Sequence, residues 1–115
     1  MGLDVTPEAL ERFLAGGDGP VVLVNLVRLR DGGADAYRRY GEAVAPLLAR
    51  HGGELLYAGS PVATLIGDVD WDVAAVTRYP SRSALAALVR DPEFEATTPL
   101  RHEALEDGIL YAFDL

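Results

Sequence analysis

Cysteine and lysine are absent from this 115-residue chain, and histidine occurs only twice. Without cysteine there can be no disulfide framework, no thiolate zinc site and no cysteine nucleophile. His51 and His102 have no partner at the spacing of a metal-binding pair, so the sequence predicts no zinc or non-haem iron site. Glycine patterns typical of phosphate-binding or dinucleotide-binding loops are also missing. We therefore expect a protein that works without a metal or an organic cofactor.

Long apolar runs and an excess of positive charge are missing as well. The longest apolar stretch, "PVVLVNLV", is far shorter than the ~20 residues that span a bilayer. The first residues contain no basic segment followed by an apolar run, so no signal peptide is expected. Eighteen acidic residues against ten arginines give a net charge of −8, which repels phosphate backbones and anionic lipid. We expect a cytoplasmic protein that binds neither nucleic acid nor membrane.

Half of the residues are hydrophobic, a composition typical of a folded globular domain. The length favours one domain over residues 1–115, with an N-terminal helix and linker in 1–19 and a core in 20–115. Thr6-Pro7-Glu8 has the pattern of a helix start, with a capping threonine, a proline and an acid in the first turn. The sequence therefore predicts a helix over Pro7–Ala15, which the segment "AGGDGP" ends.

The core alternates between strand and helix patterns. The β-branched run "VVLVNLVRL" predicts a central strand, and residues 34–51 carry apolar side chains every three or four positions, as one face of a helix does. Pro46 is expected to kink that helix, and Gly52-Gly53 to end it. The segments "ELLYAGS" and "VATLIG" read as strands, followed by "WDVAAVTRY" and, at the end of the chain, "GILYAFDL".

Three proline-containing segments divide the second half of the chain. Pro80 ends a strand because it cannot donate to a β-ladder, and Ser81 is placed to cap the next helix. Asp91-Pro92 and Thr98-Pro99 repeat this start, which predicts short helical pieces. The order β-α-β-β-α-β, after the N-terminal helix, is typical of an α+β fold of the ferredoxin-like type, with helices on one face of an antiparallel sheet. The other face of the sheet would leave apolar, even-numbered residues of the first strand in water. We therefore expect a homodimer that covers this face.

Asn25 is the first candidate for a functional residue. It interrupts the apolar odd-numbered positions of the first strand, which we expect to face the helices. A buried amide needs a hydrogen-bond partner, because burying it alone costs a few kcal/mol. Two interpretations remain open: the amide serves a ligand in a pocket between sheet and helices, or it binds a neighbouring backbone group or a tyrosine.

The remaining candidates each have a structural alternative. Tyr37 and Tyr40 lie on the apolar stripe of the long helix. Either their hydroxyl groups donate into a pocket, or their rings are simply part of the core. His51 ends that stripe and is either an acid–base group or a cap of the helix C-terminus. Arg101 is placed to bind a substrate carboxylate or enolate, or to pair with Glu42 or Glu106. Arg28, Arg30 and Arg78 are expected to form ion pairs across the dimer interface, and Trp71 to line a pocket or anchor a strand end.

Five segments together resemble domain-of-unknown-function family 1330: "VNLVRLR", "AYRRYGEAVAPLLARHGGELLYAG", "WDVAAVTRYPSRSAL", "DPEF" and "RHEALED". The resemblance covers about residues 21–107. It implies a dimeric α/β barrel, a superfamily that includes muconolactone isomerases, cofactor-free monooxygenases and haem-degrading oxygenases. Relatives often carry histidine where this chain has Leu100, although His102 lies nearby as a possible substrate-binding residue. Haem enzymes of the superfamily have a histidine soon after the phenylalanine of the last helical segment. The corresponding stretch here, "FEATTPL", contains no histidine, so haem is not expected.

Two functional hypotheses follow. The first is a cofactor-free enzyme of secondary or aromatic metabolism that works by proton transfer, as an isomerase, a cyclase or a cofactor-independent oxygenase. Asn25 and Tyr40 would hold a developing enolate with electrostatic support from Arg101, and Tyr37, His51, Trp71 and His102 would contact the small organic substrate. The second is a ligand-binding or stress-associated dimer without chemistry. A closed pocket on which Asn25, a tyrosine and Arg101 converge would favour the enzyme. Pairing of those side chains with each other or with the backbone would favour the second hypothesis.

Overall fold

The computed structural model describes residues 2–115 and contains one four-stranded sheet with its helices. The elements, in chain order, are α1 (Pro7–Ala15), β1 (Val21–Leu29), α2 (Ala34–Arg50), β2 (Glu54–Gly59), β3 (Val73–Tyr79), α3 (Arg82–Val89), α4 (Pro92–Glu95), α5 (Thr98–Ala104) and β4 (Leu105–Asp114). Among these residues no helix is long and apolar enough to cross a membrane.

The strands lie in the order β2-β3-β1-β4, and every neighbouring pair is antiparallel. The two strands that α2 connects, β1 and β2, are separated by β3, and the two that the second helical segment connects, β3 and β4, are separated by β1. This is the split β-α-β arrangement of a ferredoxin-like fold, so the predicted fold class is confirmed. The register places Asn25 at the centre of the sheet, between Ala75 of β3 and Leu110 of β4.

Local capping patterns predicted the helix starts well. Thr6 accepts a hydrogen bond from the Ala9 amide at 3.1 Å, and Ser81 accepts one from the Ala84 amide at 3.0 Å. The prediction for Thr98 as a cap is wrong, because α5 already begins at that residue and its N-cap position is Thr97. The Thr97 hydroxyl donates to the Phe94 carbonyl at 2.6 Å instead. These bonds span no more than three residues, which is why the sequence pattern finds most of them.

The odd-numbered side chains of β1 face the helices, as predicted. Val21, Leu23 and Val27 are each no more than 3% exposed and belong to the core. The helix α2 supplies Leu47 to the same core and runs through Pro46 without ending there. It stops at His51 and Gly52, where the positive φ of 79° at Gly52 is a conformation that glycine adopts readily. The even-numbered side chains of β1 lie on the opposite face, which no helix covers.

The segment "VATLIG" is not a strand. Residues 60–72 form an irregular connection between β2 and β3, and three apolar side chains within it are almost completely exposed: Val62, Leu65 and Ile66, at 104%, 92% and 98%. Apolar, β-branched composition favours a strand only where another strand pairs with it, and this segment has no such partner within the described chain.

Candidate functional site

A cavity of about 1020 Å³ lies between the helix-facing side of β1 and β4 and the N-terminal segment that crosses over it. Helices α2 to α5 supply its remaining walls. Its volume is at the upper end of the range for sites that hold a small organic molecule, roughly 300–1,000 Å³. Most of the lining is apolar, and the polar side chains in it are few.

Asn25 lines this cavity from the middle of β1. The residue is half-buried, and its amide side chain makes no hydrogen bond with any residue of the described chain, 2–115. Its neighbours on the same side of the sheet, Leu23, Val27 and Leu110, are apolar and cannot satisfy it. The amide is therefore available to a ligand that enters the cavity.

Tyr37 and Tyr40 contribute two hydroxyl groups from neighbouring positions on α2. Their rings stack with centroids 6.3 Å apart. Burial raises the pKa of the Tyr37 hydroxyl, and the neighbouring Tyr40 raises it further, so Tyr37 stays protonated near neutral pH. Tyr40 accepts a hydrogen bond from Arg101 Nη1 at 3.3 Å and keeps its own proton free to donate.

Arg101 projects from α5 into the same cavity, and its side chain is 11% exposed. It is the only cationic side chain among the described residues that line the cavity. The guanidinium lies over the rings of Tyr40 and Phe94, at 5.7 Å and 5.6 Å from their centroids. These cation–π contacts help to hold its position.

The partner of Arg101 is neither Glu42 nor Glu106, the two that the sequence had offered. Arg101 Nη2 binds the carboxylate of Asp4, and Nε donates to the Leu3 carbonyl at 3.1 Å. Glu42 instead binds Arg38, one turn earlier in α2, at 2.7 Å. The hydrogen bond from Arg101, assisted by His102, holds the pKa of Asp4 below its ordinary value of 3.8, against the opposing effect of partial burial.

Three of the seven predicted site residues lie outside the cavity. His51 is at the end of α2, where its Nε2 lies 2.8 Å from the Asp91 carboxylate. Trp71 lies beneath the guanidinium of Arg28, 5.8 Å from it, at the start of the strand. His102 binds Asp4 at 2.9 Å on the outer side of α5. The other four, Asn25, Tyr37, Tyr40 and Arg101, line one volume.

The arginines expected at the dimer interface are differently placed. Arg28 binds Glu106 and Asp107 of its own chain, each at 3.3 Å, because the β1–β4 register puts Asp107 directly opposite Arg28. Arg30 Nε donates to the His102 carbonyl at 3.0 Å. Ion pairs of these arginines across an interface stay a prediction, and within its own chain Arg28 pairs with acids of β4.

Sequence reasoning missed several residues of the cavity wall. Asp4, Phe94, Glu95 and Thr98 all line it. The Thr98 hydroxyl lies 3.4 Å from Arg101 Nη2. Thr98 precedes Arg101 by three residues, and this helical spacing could have been used to predict the contact. Nothing in the sequence near Asp4 indicates that it meets α5. Within the described residues, no group of three or more His, Asp or Glu side chains is placed to hold a metal ion.

Comparison with known proteins supports the fold and identifies the family. A protein of unknown function from Rhodopseudomonas palustris is 34% identical, with a TM-score of 0.87 over 98% of this chain and 95% of that one. A dimeric ferredoxin-like protein of unknown function from Thermobifida fusca is 19% identical, with a TM-score of 0.63 over 84% of this chain and 91% of that one. A dimeric protein of unknown function and ferredoxin-like fold from Bacteroides fragilis is 16% identical, with a TM-score of 0.63 over 84% and 97%.

No curated protein matches the chain significantly. The model of the family called domain of unknown function DUF1330 matches residues 23–112. That match includes Asn25, Tyr37, Tyr40 and Arg101 but leaves out Asp4 and α1. This chain belongs to the DUF1330 family.

Proposed function

We propose that this protein binds a small, largely apolar organic molecule in the cavity and catalyses a proton transfer on it without a cofactor. The observation that carries the proposal is the amide of Asn25, which lines the cavity and has no hydrogen-bond partner among residues 2–115. The Asn25 amide is reached by solvent and is not a buried unsatisfied group. A ligand that enters the cavity can therefore replace water on this amide, which supports a role in binding.

The polar groups of the cavity fit the stabilisation of an enolate. The Asn25 amide and the Tyr40 hydroxyl donate hydrogen bonds to the oxygen on which negative charge develops. Arg101, which is paired with Asp4, gives electrostatic support by donating to the Tyr40 oxygen, which makes that hydroxyl a stronger donor. Tyr37, whose pKa is raised by burial, serves as a further donor and not as a base. Isomerisation, cyclisation and cofactor-independent oxygenation can all proceed through such an enolate.

The base is expected to be a carboxylate. Two carboxylates line the cavity, Asp4 and Glu95. Asp4 is bound to Arg101 and His102, whereas Glu95 makes no ion pair within the described chain. Glu95 is therefore the proposed proton acceptor, at the N-terminal end of the cavity wall that α4 and α5 form.

Deuterium exchange tests this proposal without knowledge of the natural substrate. The probe is α-tetralone, an aromatic ketone whose enolisation at neutral pH is slow, and NMR follows deuterium incorporation next to the carbonyl in D2O. The wild-type protein is expected to accelerate exchange, and Asn25→Leu or Glu95→Gln to reduce the acceleration by about 10²-fold or more. The matched control is Glu93→Gln, which changes an acid of the same short helix that lies outside the cavity.

The alternative function is a ligand-binding or stress-associated dimer without catalysis. Binding of α-tetralone that depends on Asn25, with no acceleration of exchange by the wild-type protein, would favour this alternative. Absence of both binding and exchange would contradict the ligand-binding role of the cavity.

A homodimer formed through the open face of the sheet is part of the same proposal. One row across the sheet joins Tyr57, Val76, Val24 and Tyr111, which share a face by their register. Tyr57 and Tyr111 are 59% and 58% exposed, and no helix covers them. An apolar face of this kind costs roughly 25 cal/mol per Å² in water, and a second copy of the same face would cover it. The structural relatives from Thermobifida fusca and Bacteroides fragilis are described as dimeric.

A further inference from the structure

The N-terminal segment covers the cavity but has few buried anchors of its own. Residues 2–15, here called the lid, contribute Leu3, Asp4, Leu10 and Phe13 to the cavity lining. Leu10 is the one residue of α1 that is fully buried. The lid joins β1 through a glycine-rich connection in which Gly17 has a φ of 137°, a conformation that other residues rarely adopt.

Leu3 and Phe13 pack against the two clusters of the core, and two sets of further contacts attach the lid to the rest of the protein. Near the glycine-rich connection, Arg82 Nη1 donates to the Phe13 carbonyl at 2.6 Å, and its guanidinium lies 5.1 Å from the Phe13 ring. At the far end, the Asp4 carboxylate binds Arg101 and lies 2.9 Å from His102 Nε2. These last three residues are called the clasp. The clasp is the attachment that involves the cavity, because Asp4 and Arg101 both line it.

Several groups besides Asp4 contact the guanidinium of Arg101. The rings of Tyr40 and Phe94 lie 5.7 Å and 5.6 Å from it, and Tyr40 and Thr98 accept hydrogen bonds from it at 3.3 Å and 3.4 Å. The Leu3 carbonyl of the lid accepts a further hydrogen bond from Nε at 3.1 Å. None of these groups neutralises its charge. A cation that is 11% exposed needs an anion beside it, and Asp4 of the lid is the anion that fills this place.

We propose that the Asp4 carboxylate occupies the position of a ligand's carboxylate, and that the ligand is a small apolar monocarboxylic acid that displaces Asp4 from Arg101 as the lid opens. The inference rests on the proposed ligand-binding function of the cavity. A planar carboxylate suits the guanidinium fork as well as Asp4 does. A second negative charge on the ligand would meet Glu95, and the remaining lining is mostly apolar. The carboxylate at Arg101 leaves Asn25 free to bind a carbonyl group elsewhere on the same ligand.

Competition between Asp4 and the ligand has a measurable consequence. An acid binds at Arg101 only in molecules whose clasp is open. Its apparent affinity is therefore the intrinsic affinity multiplied by the fraction of molecules in that open state. Asp4→Asn keeps the shape of the side chain but removes its charge, so it weakens the clasp. Glu11→Gln is the matched control, because it removes the same charge from the exposed side of the same lid, where Glu11 makes no ion pair among the described residues.

Calorimetric titration with trans-cinnamate and with its neutral amide, trans-cinnamamide, tests the inference. Asp4→Asn is expected to bind cinnamate about tenfold more tightly than the wild type does, with unchanged affinity for the amide. Glu11→Gln should match the wild type for both compounds. If Asp4→Asn changes the affinity for acid and amide equally, or for neither, displacement of Asp4 by a carboxylate is overturned while ligand binding stands. If no variant binds either compound, both this inference and the ligand-binding function are overturned.

Hydrogen–deuterium exchange of the lid gives a second readout that does not depend on affinity. Exchange of the backbone amides of residues 7–15 is expected to be faster in Asp4→Asn than in Glu11→Gln, because the weaker clasp lets the lid open more often. Saturating cinnamate should speed the same exchange in the wild type, since it releases Asp4. Equal exchange in the two variants, or slower exchange with cinnamate, would overturn the role of Asp4 as the clasp of the lid.

Discussion

Asp4 binds Arg101 across a sequence separation of 97 residues and so joins the N-terminal segment to the penultimate element of the fold. The contact neutralises the only cation that lines the cavity among the described residues. It also places a carboxylate and a guanidinium where a ligand would meet them. In our proposal, a ligand carboxylate takes the place of Asp4 in this contact.

The clasp should respond to pH through Asp4. The pKa of Asp4 is lowered in the folded protein, chiefly by the hydrogen bond from Arg101, so its contribution to stability is fully present above its ordinary value of 3.8. That contribution is lost as pH falls through the lowered pKa of the folded state. We expect the melting temperature of the wild type to exceed that of Asp4→Asn at pH 7 and the difference to shrink as the pH falls below 3.8. A difference that stays constant as the pH falls below 3.8, or that Glu11→Gln also shows, would contradict this mechanism.

Replacement of Asn25 by leucine should separate stability from binding. Since the amide has no protein partner, Asn25→Leu is expected to leave the melting temperature unchanged or to raise it. Affinity for α-tetralone should fall by about 0.5 to 1.5 kcal/mol, the net value of one hydrogen bond between neutral groups. Thermal unfolding and titration with α-tetralone check the two effects.

A matched polar-to-apolar change supplies the control for Asn25. Thr97 is 6% exposed, and its hydroxyl donates to the Phe94 carbonyl at 2.6 Å. Thr97→Val should therefore lower stability by about 1 kcal/mol. If Asn25→Leu destabilises the protein as much as Thr97→Val does, Asn25 has a structural role and the proposed ligand site loses its main support.

Removal of the Ser81 cap should weaken α3. The hydroxyl accepts the hydrogen bond of the Ala84 amide, which the first turn of a helix cannot satisfy by itself. Ser81→Ala is expected to lower the free energy of unfolding by about 1 kcal/mol, measured as a shift in the midpoint of denaturant unfolding. Ser60→Ala, in the exposed connection after β2, should leave the midpoint in place. Equal midpoints for the two variants would show that the cap contributes nothing.

The open face of the sheet should form the dimer interface. Light scattering of the wild type at micromolar concentration is expected to give the mass of two chains, because the apolar row across the sheet is then covered. Tyr111→Glu places a charge in that row and should give monomers, whereas Ala45→Glu, on the exposed side of α2, should stay dimeric. A monomeric wild type, or a dimeric Tyr111→Glu, would exclude this interface.

Features that depend on neighbouring residues were determined by the sequence alone. Thr6 and Ser81 cap helices through bonds to residues three positions further on, and their pattern could be read directly. The alternation along β1 placed Val21, Leu23 and Val27 in the core and Asn25 among them, since side chains of a strand alternate between its faces. The different period of a helix, about 3.6 residues per turn, predicted that Tyr37 and Tyr40 share one face of α2.

Features that depend on distant residues were decided only by the tertiary structure. The register of β4 gave Arg28 its acidic partners, and the path of the N-terminal segment brought Asp4 to Arg101. The apolar segment after β2 remained an exposed connection because no strand pairs with it, although its composition favours a strand. A local pattern specifies which face a side chain is on, but ion pairs and strand pairs need a partner whose position is set by the packing of the whole chain.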